Sequence, residues 1–124
     1  AKLLPVEQVT CVEISPLHCS VLRAHGLNTV EGDFLEWAAS TRQKFDRVIM
    51  NPPFSAGRAV THLVEAADLL VPGGRIAAIL PASCRGKTIL DGFEHEYSEV
   101  ISNEFAGTSV SVVILVATAP ATRL

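Results

Sequence analysis

The chain is poor in the residues that build metal centres and disulfide frameworks. Its three cysteines, Cys11, Cys19 and Cys84, are odd in number and lack the paired spacing of a zinc site, so buried reduced thiols are the expectation. The four histidines, His18, His25, His62 and His95, fall on predicted helices with no i, i+4 pair and no neighbouring Cys pair, which argues against a metal role. No stretch is long and apolar enough to cross a membrane, and nothing resembles a signal peptide. The expectation is a soluble cytoplasmic domain with no membrane partner. Positive charge is also scarce: 10 Lys and Arg against 13 Asp and Glu leave a net charge of −3, with no concentrated basic run. The electrostatic footprint that dominates nucleic-acid affinity is therefore missing from this chain. Repeats, low-complexity tracts and evident linkers are absent too, so residues 1–124 read as one domain.

What is present suits a sheet buried on both faces: 48% of residues are hydrophobic and only 19% charged. Val9 to Ile14 reads as a buried strand, followed by Ser15 as a helix N-cap and Pro16 at the first helical position. Leu17, Val21 and Leu22 supply an apolar stripe and Gly26 a stop. Leu27 to Glu31 reads as a second strand, leading into Gly32-Asp33-Phe34, and Phe45 to Met50 as a third. The next predicted helix has Val60, Leu63, Val64, Ala67, Leu70 and Val71 on one face and ends at Pro72-Gly73-Gly74. Arg75 to Leu80 is a fourth strand, and Pro81-Ala82-Ser83 opens a helix predicted to reach about Tyr97. Two further strands, Val100 to Phe105 and Val110 to Ala117, are joined by Ala106-Gly107-Thr108-Ser109. Strands alternating with helices at this spacing imply a mostly parallel sheet.

Chemistry concentrates at Asn51-Pro52-Pro53-Phe54, directly after the third strand. Open α/β sheets bind their ligands at the carboxyl ends of their strands. The side-chain oxygen of Asn51 and the carbonyl of Pro52 form a fixed acceptor pair for both hydrogens of an amino group. Such a group is a poor nucleophile while its lone pair is delocalised, and a preorganised pair of acceptors favours a more tetrahedral nitrogen. Pro52 and Pro53 fix φ and restrict their predecessors, which sets the carbonyl directions in advance. Phe54 offers a face for stacking, worth roughly 1–3 kcal/mol per base in single-strand binders. A proline-rich turn before a helix, with Phe54 in the core, is the bland alternative. Glu13 and Asp33, at strand ends, also read either as ligand acceptors or as charges at a helix N-terminus.

The ordered set Val12-Glu13-Ile14, Gly32-Asp33-Phe34, Phe45 to Phe54, Leu70-Val71-Pro72-Gly73-Gly74 and a closing strand pair resembles a class I S-adenosylmethionine-dependent methyltransferase. Within that superfamily it resembles the amino-methylating branch, which includes DNA adenine-N6 enzymes. The resemblance covers nearly the whole chain. It implies a Rossmann-like three-layer α/β/α sandwich with an antiparallel C-terminal strand and S-adenosylmethionine as cofactor. By the same resemblance Glu13 accepts from the cofactor's ribose hydroxyls, Ile14 packs on its adenine, Asp33 accepts from the adenine amino group and the Phe34 N–H reaches a ring nitrogen. Asn51, Pro52 and Phe54 become catalytic, Asn51 also counts among the cofactor-binding residues, and Pro53 and Phe54 frame the acceptor.

One departure concerns the front of the chain. Family members begin with a strand ending in an acidic residue and a glycine-rich turn; here Ala1 to Pro5 resembles the end of the following helix. Because the missing strand is central in the family, the domain is expected to be N-terminally incomplete, to be completed by a partner chain or a second copy, or to be a fragment. Relatives of this motif methylate adenine N6 in DNA or RNA, guanine N2 in RNA, or glutamine in proteins. Asn51 to Ser55, followed by Gly57 and a helix, resembles plasmid- and phage-type modification enzymes, which favours DNA adenine. A duplex base would have to be flipped out to react. With so few basic residues, regions outside this chain would supply most of the grip on nucleic acid. Arg85, Gly86 and Lys87 are candidates for phosphate contact or a solvated helix start. The competing reading is a non-catalytic assembly module; a nicotinamide-dependent dehydrogenase would leave Asn51 to Phe54 unexplained.

Overall fold

The computed structural model describes residues 8–53, 57–105 and 108–122, in two units that meet in sequence between Thr41 and Arg42. The first unit holds strand β1 (Thr10–Glu13), helix α1 (Pro16–Ala24), strand β2 (Asn28–Glu31) and helix α2 (Phe34–Ser40). β1 and β2 pair in parallel, with Thr10 opposite Asn28 and Glu13 opposite Glu31. A parallel pair needs a crossover, and α1 provides it. It starts where the sequence predicts: the Ser15 hydroxyl accepts the His18 N–H at 3.3 Å, and Pro16 occupies the first turn, where its missing N–H costs nothing. Gly26 ends it at φ +81°, a left-handed conformation that disfavours other residues.

Of the expected apolar stripe of α1 only Leu22 turns inward. Leu17 and Val21 are 71% and 50% exposed, whereas Cys19 is fully buried with its thiol 3.2 Å from the Glu13 carbonyl. The inward face runs through Cys19 and half-buried Leu22, three positions on, and a small thiol permits closer approach to β1 than a leucine would.

The second unit holds strand β3 (Phe45–Met50), helix α3 (Arg58–Ala67), strand β4 (Leu70–Pro81), a short 3₁₀ turn (Ala82–Cys84), and strands β5 (Glu94–Tyr97), β6 (Ile101–Phe105) and β7 (Thr108–Thr118). β3 pairs in parallel with β4, and β7 runs antiparallel to β4, β5 and β6. The α/β Rossmann-like fold with its antiparallel closing strand matches expectation, but this sheet is mixed and not mostly parallel, since only β3 and β4 among its described strands pair in parallel. Strand alternation sorts the side chains. Ile76, Ala78 and Leu80 of β4 and Val113, Leu115 and Ala117 of β7 form the buried row, and α3, which packs on β4, buries Ala59, His62, Leu63, Ala66 and Ala67. Full burial of a side chain such as Leu63 contributes about 1.5–3 kcal/mol.

Two predicted boundaries move. α3 stops at Ala67, and Leu70 and Val71 belong to β4, so Pro72-Gly73-Gly74 interrupts a strand and does not terminate a helix. Phe45 lies opposite Leu70 but Arg47 opposite Arg75, so the Pro-Gly-Gly segment bulges out of β4 before pairing resumes. Gly73, at φ +77°, gives its N–H to the Pro120 carbonyl, and the Gly74 carbonyl accepts the Ala119 N–H at 2.8 Å. Val60 and Val64, expected on the buried face, are 38% and 39% exposed; the small Ala59 and Ala66 take the sheet side.

The helix predicted from Pro81 to about Tyr97 is not formed either. After the 3₁₀ turn the chain is an irregular crossover that ends in β5, and His95 therefore stands on a strand. Gly86 and Gly92 both sit at φ +82°, which an α-helix cannot accommodate. Within the crossover Leu90 is buried, and the Tyr97 hydroxyl donates to the Lys87 carbonyl at 2.5 Å.

Candidate active site

In the first unit the two strand ends bring two carboxylates onto neighbouring positions. Glu13 closes β1, and its carbonyl accepts the Gly32 N–H at 2.9 Å, so the turn after β2 is pinned to the end of β1. Asp33 follows Gly32 directly. The Oε2 of Glu13 accepts the Ser15 N–H at 2.9 Å and lies 3.8 Å from the exposed His18 Nδ1, which fixes the direction of the carboxylate. Asp33 is the N-cap of α2: its Oδ2 accepts the Glu36 N–H at 3.0 Å. The cap reading of Asp33 therefore holds, and it is compatible with the ligand-acceptor reading, because a cap uses only one carboxylate oxygen. Ile14, next to Glu13, is 65% exposed, an apolar surface beside the acidic strand end. Phe34 opens α2 and its ring lies 6.2 Å from that of Trp37. The bond from Ser15 to Glu13 escaped the sequence reading. Its signal, an acidic residue two positions before an N-cap serine, is too common to interpret alone.

In the second unit Asn51, Pro52 and Pro53 follow the carboxyl end of β3, beside its parallel neighbour β4. Asn51 is exposed, Pro52 buried and Pro53 half-buried. Pro52 is thereby packed in while Asn51 is open to solvent. Phe54 lies outside the described residues. Asn51 adjoins an open hollow of about 450 Å³ walled by Ile49, Met50, Ala77, Ala78, Ile79 and Ile114. Ile49 is 79% exposed on β3, an edge strand of this sheet among the described residues. The apolar wall was missed from sequence, although the i, i+2 alternation of Ala77 and Ile79 carries it.

Other candidates separate from these. Arg85 donates from Nε to the Ser98 carbonyl at 2.9 Å and reaches Glu99 at 3.5 Å, so it is engaged within the fold. Burial raises the Cys11 thiol, and burial followed by the nearby Glu31 raises that of Cys19, so neither resembles an activated nucleophile. Among the described residues no group of three or more His, Cys, Asp or Glu side chains is placed to hold a metal ion. No helix there is long and apolar enough to cross a membrane.

Comparison with protein families matches residues 2–106 to the methyltransferase small domain. The chain belongs to that family. S-adenosylmethionine is the cofactor of these methyltransferases. Among solved structures, the chain is similar to TrmN from Thermus thermophilus, at 23% identity and a TM-score of 0.56 over 86% of this chain and 35% of that one. It is similar to a methyltransferase from Pyrococcus furiosus, at 21% identity and a TM-score of 0.59 over 91% of this chain and 63% of the other. It is also similar to SMU.776, solved in complex with SAH, at 18% identity and a TM-score of 0.62 over 89% and 38%. At these identities the likeness is one of fold, and the chain spans about a third of the TrmN chain. No curated protein sequence matches it.

Proposed function

We propose that this methyltransferase domain transfers a methyl group to the exocyclic amino nitrogen of a nucleobase, with adenine N6 of DNA as the acceptor. The observation that carries the reading is the disposition of Asn51 and Pro52 at the carboxyl end of β3, one exposed and one buried. An exposed amide oxygen next to a carbonyl held by an anchored proline ring suits the two hydrogens of an amino group. Phe54 would stack on the base, and Pro53 would hold the loop that presents it.

The residues of the first unit suit the cofactor. Glu13, with Oε2 oriented by Ser15, would accept ribose hydroxyls through Oε1; Asp33 would accept an amino group through Oδ1 while Oδ2 caps α2; Ile14 would cover an aromatic face; Phe34 would offer its N–H. When bound, S-adenosylmethionine supplies an electrophilic methyl group on a sulfonium. Asn51 and Pro52 orient the acceptor nitrogen and stabilise the positive charge that develops on it, and the proton leaves to solvent. No covalent link to the protein is needed. Nucleic acid would be held mainly by regions outside this chain, since its own charge is −3. A partner chain or second copy that pairs with the outer edge of β3 belongs to the same reading.

Calorimetric titration of the 124-residue chain with S-adenosylhomocysteine tests the cofactor half. Transfer of radiolabelled methyl groups to single-stranded DNA, tRNA and a glutamine-containing peptide tests the acceptor half. One-to-one binding with label on DNA adenine is expected. Label on tRNA guanine or on the peptide would overturn the adenine assignment, and a folded chain that binds no cofactor would overturn the assignment of these residues to cofactor binding.

A further inference from the structure

The crossover between β4 and β5 is tied down by one histidine in one protonation state. His95 Nε2 accepts the Leu90 N–H at 3.0 Å, and its Nδ1 lies 3.1 Å from the Phe93 carbonyl. A carbonyl can only accept and a backbone N–H can only donate, so the ring must carry its hydrogen on Nδ1 and none on Nε2. The neutral Nδ1–H form alone satisfies both partners. Leu90 is 4% exposed and this bond is part-buried, so its N–H loses stabilisation if its acceptor disappears.

We infer that His95 is a positioning residue that latches residues 85–93 onto β5, and that protonation at Nε2 releases this latch. A proton on Nε2 would set two donors against each other at 3.0 Å and leave the Leu90 N–H without its acceptor. The other groups that face the ring are few. Tyr97 stacks on it, with ring centroids 6.3 Å apart, and holds the Lys87 carbonyl; β7 presents the uncharged Ala117 opposite. Glu94 and Glu96 project to the opposite side of β5 by strand alternation. Within the crossover, Arg85 is engaged by Ser98 and Glu99, Lys87 and Asp91 are exposed, and Cys84 is buried. Loss of the His95 contacts would leave the Tyr97 bond to Lys87 and the Arg85 bonds in place, so the loosening centres on the Leu90 N–H.

The crossover leaves β4 at the same sheet end at which Asn51 leaves β3. An effect on access to Asn51 rests on the proposed function; the latch itself does not.

Nuclear magnetic resonance of the isotope-labelled 124-residue chain tests it without reference to activity. Side-chain nitrogen shifts near pH 7.5 should report the Nδ1–H tautomer for His95. Amide protection at Leu90, corrected for intrinsic exchange, should fall about tenfold or more once acid protonates the ring, while Ile79 and Leu115 in β4 and β7 keep theirs. His95→Gln, which offers an uncharged acceptor, should abolish that pH dependence. An Nε2–H tautomer at neutral pH, or Leu90 protection that does not change with pH in the parent chain, would overturn the proposal.

Discussion

The backbone N–H of Gly32 donates to the carbonyl of Glu13 at 2.9 Å, one step beyond the last paired residues of β1 and β2. This bond extends the parallel ladder into the turn and places Asp33, the next residue, at the strand end that carries Glu13. Two acidic residues from different motifs are thereby brought to the same end of the strand pair through backbone pairing alone.

Asp33 caps α2, and the cofactor role proposed for it is a second job that substitution can separate from the first. Asn caps helices about as well as Asp, whereas Ala forfeits about 0.5–2 kcal/mol. Asp33→Asn should therefore leave the unfolding free energy nearly unchanged, yet weaken S-adenosylhomocysteine binding by roughly tenfold, the effect of losing a charged hydrogen bond. Asp33→Ala should lower both. Urea unfolding and calorimetry on the two variants decide this. Equal cofactor affinity for parent and Asp33→Asn would remove Asp33 from the cofactor site.

For Asn51 the expectation reverses. Asn51 is exposed and its loss opens no cavity, so Asn51→Ala should fold as the parent does and bind S-adenosylhomocysteine within about twofold. Methyl transfer should drop by a factor on the order of 10²–10³, comparable to deletion of one preorganised hydrogen-bonding group elsewhere. A parallel fall in cofactor affinity and transfer would instead assign Asn51 to the cofactor.

The strands and caps of this fold were legible because local rules dictate them. Ser15-Pro16 and Gly26 bracket α1 as read, and β1, β2, β3, β6 and β7 lie within one or two residues of their predicted places. The failures share a cause. Leu70 and Val71 satisfy a helical period and a strand period equally well, and only the pairing of β4 with β3 chooses between them. The segment after Pro81 has helix-compatible composition, but Gly86 and Gly92 take left-handed conformations, and His95 and Tyr97 satisfy the loop's polar groups instead. In the site, Glu13, Ile14, Asp33, Asn51 and Pro52 could be chosen because each stands at a strand end. The exposed Ile49 beside Asn51 could not, since sheet order decides which strand lies outermost.

Gly74 gives a packing test of the bulge. A Cβ built there would stand 3.0 Å from the Val71 carbonyl oxygen, 3.1 Å from Leu70 Cδ2 and 3.3 Å from the Asp46 carbonyl oxygen. The leucine can move, but two backbone oxygens cannot without breaking the bulge. Gly74→Ala should cost about 1–3 kcal/mol, as overpacking does, and lower the melting temperature. Gly32→Ala is the control: open space surrounds Gly32, and a loss of similar size there would mean that the Gly74 effect is not steric.

Tyr97 makes the alkaline limb of stability a measurable property of the crossover. Burial raises its phenol above the ordinary range and the nearby Cys84 adds to the effect, while the hydroxyl must keep its proton to donate to the Lys87 carbonyl. Because the folded-state value lies above the unfolded one, this contribution is fully present below the unfolded value of about 10 and is lost as pH rises through the folded value. Tyr97→Phe removes the bond at every pH. At neutral pH the variant should be less stable by about 0.5–1.5 kcal/mol, the net worth of a hydrogen bond. Above the phenol range the parent loses its advantage and the two unfolding free energies should converge. Urea titrations at a series of alkaline pH values measure the gap, and a gap that stays constant through the phenol range would show that the ionisable hydroxyl does not hold the crossover.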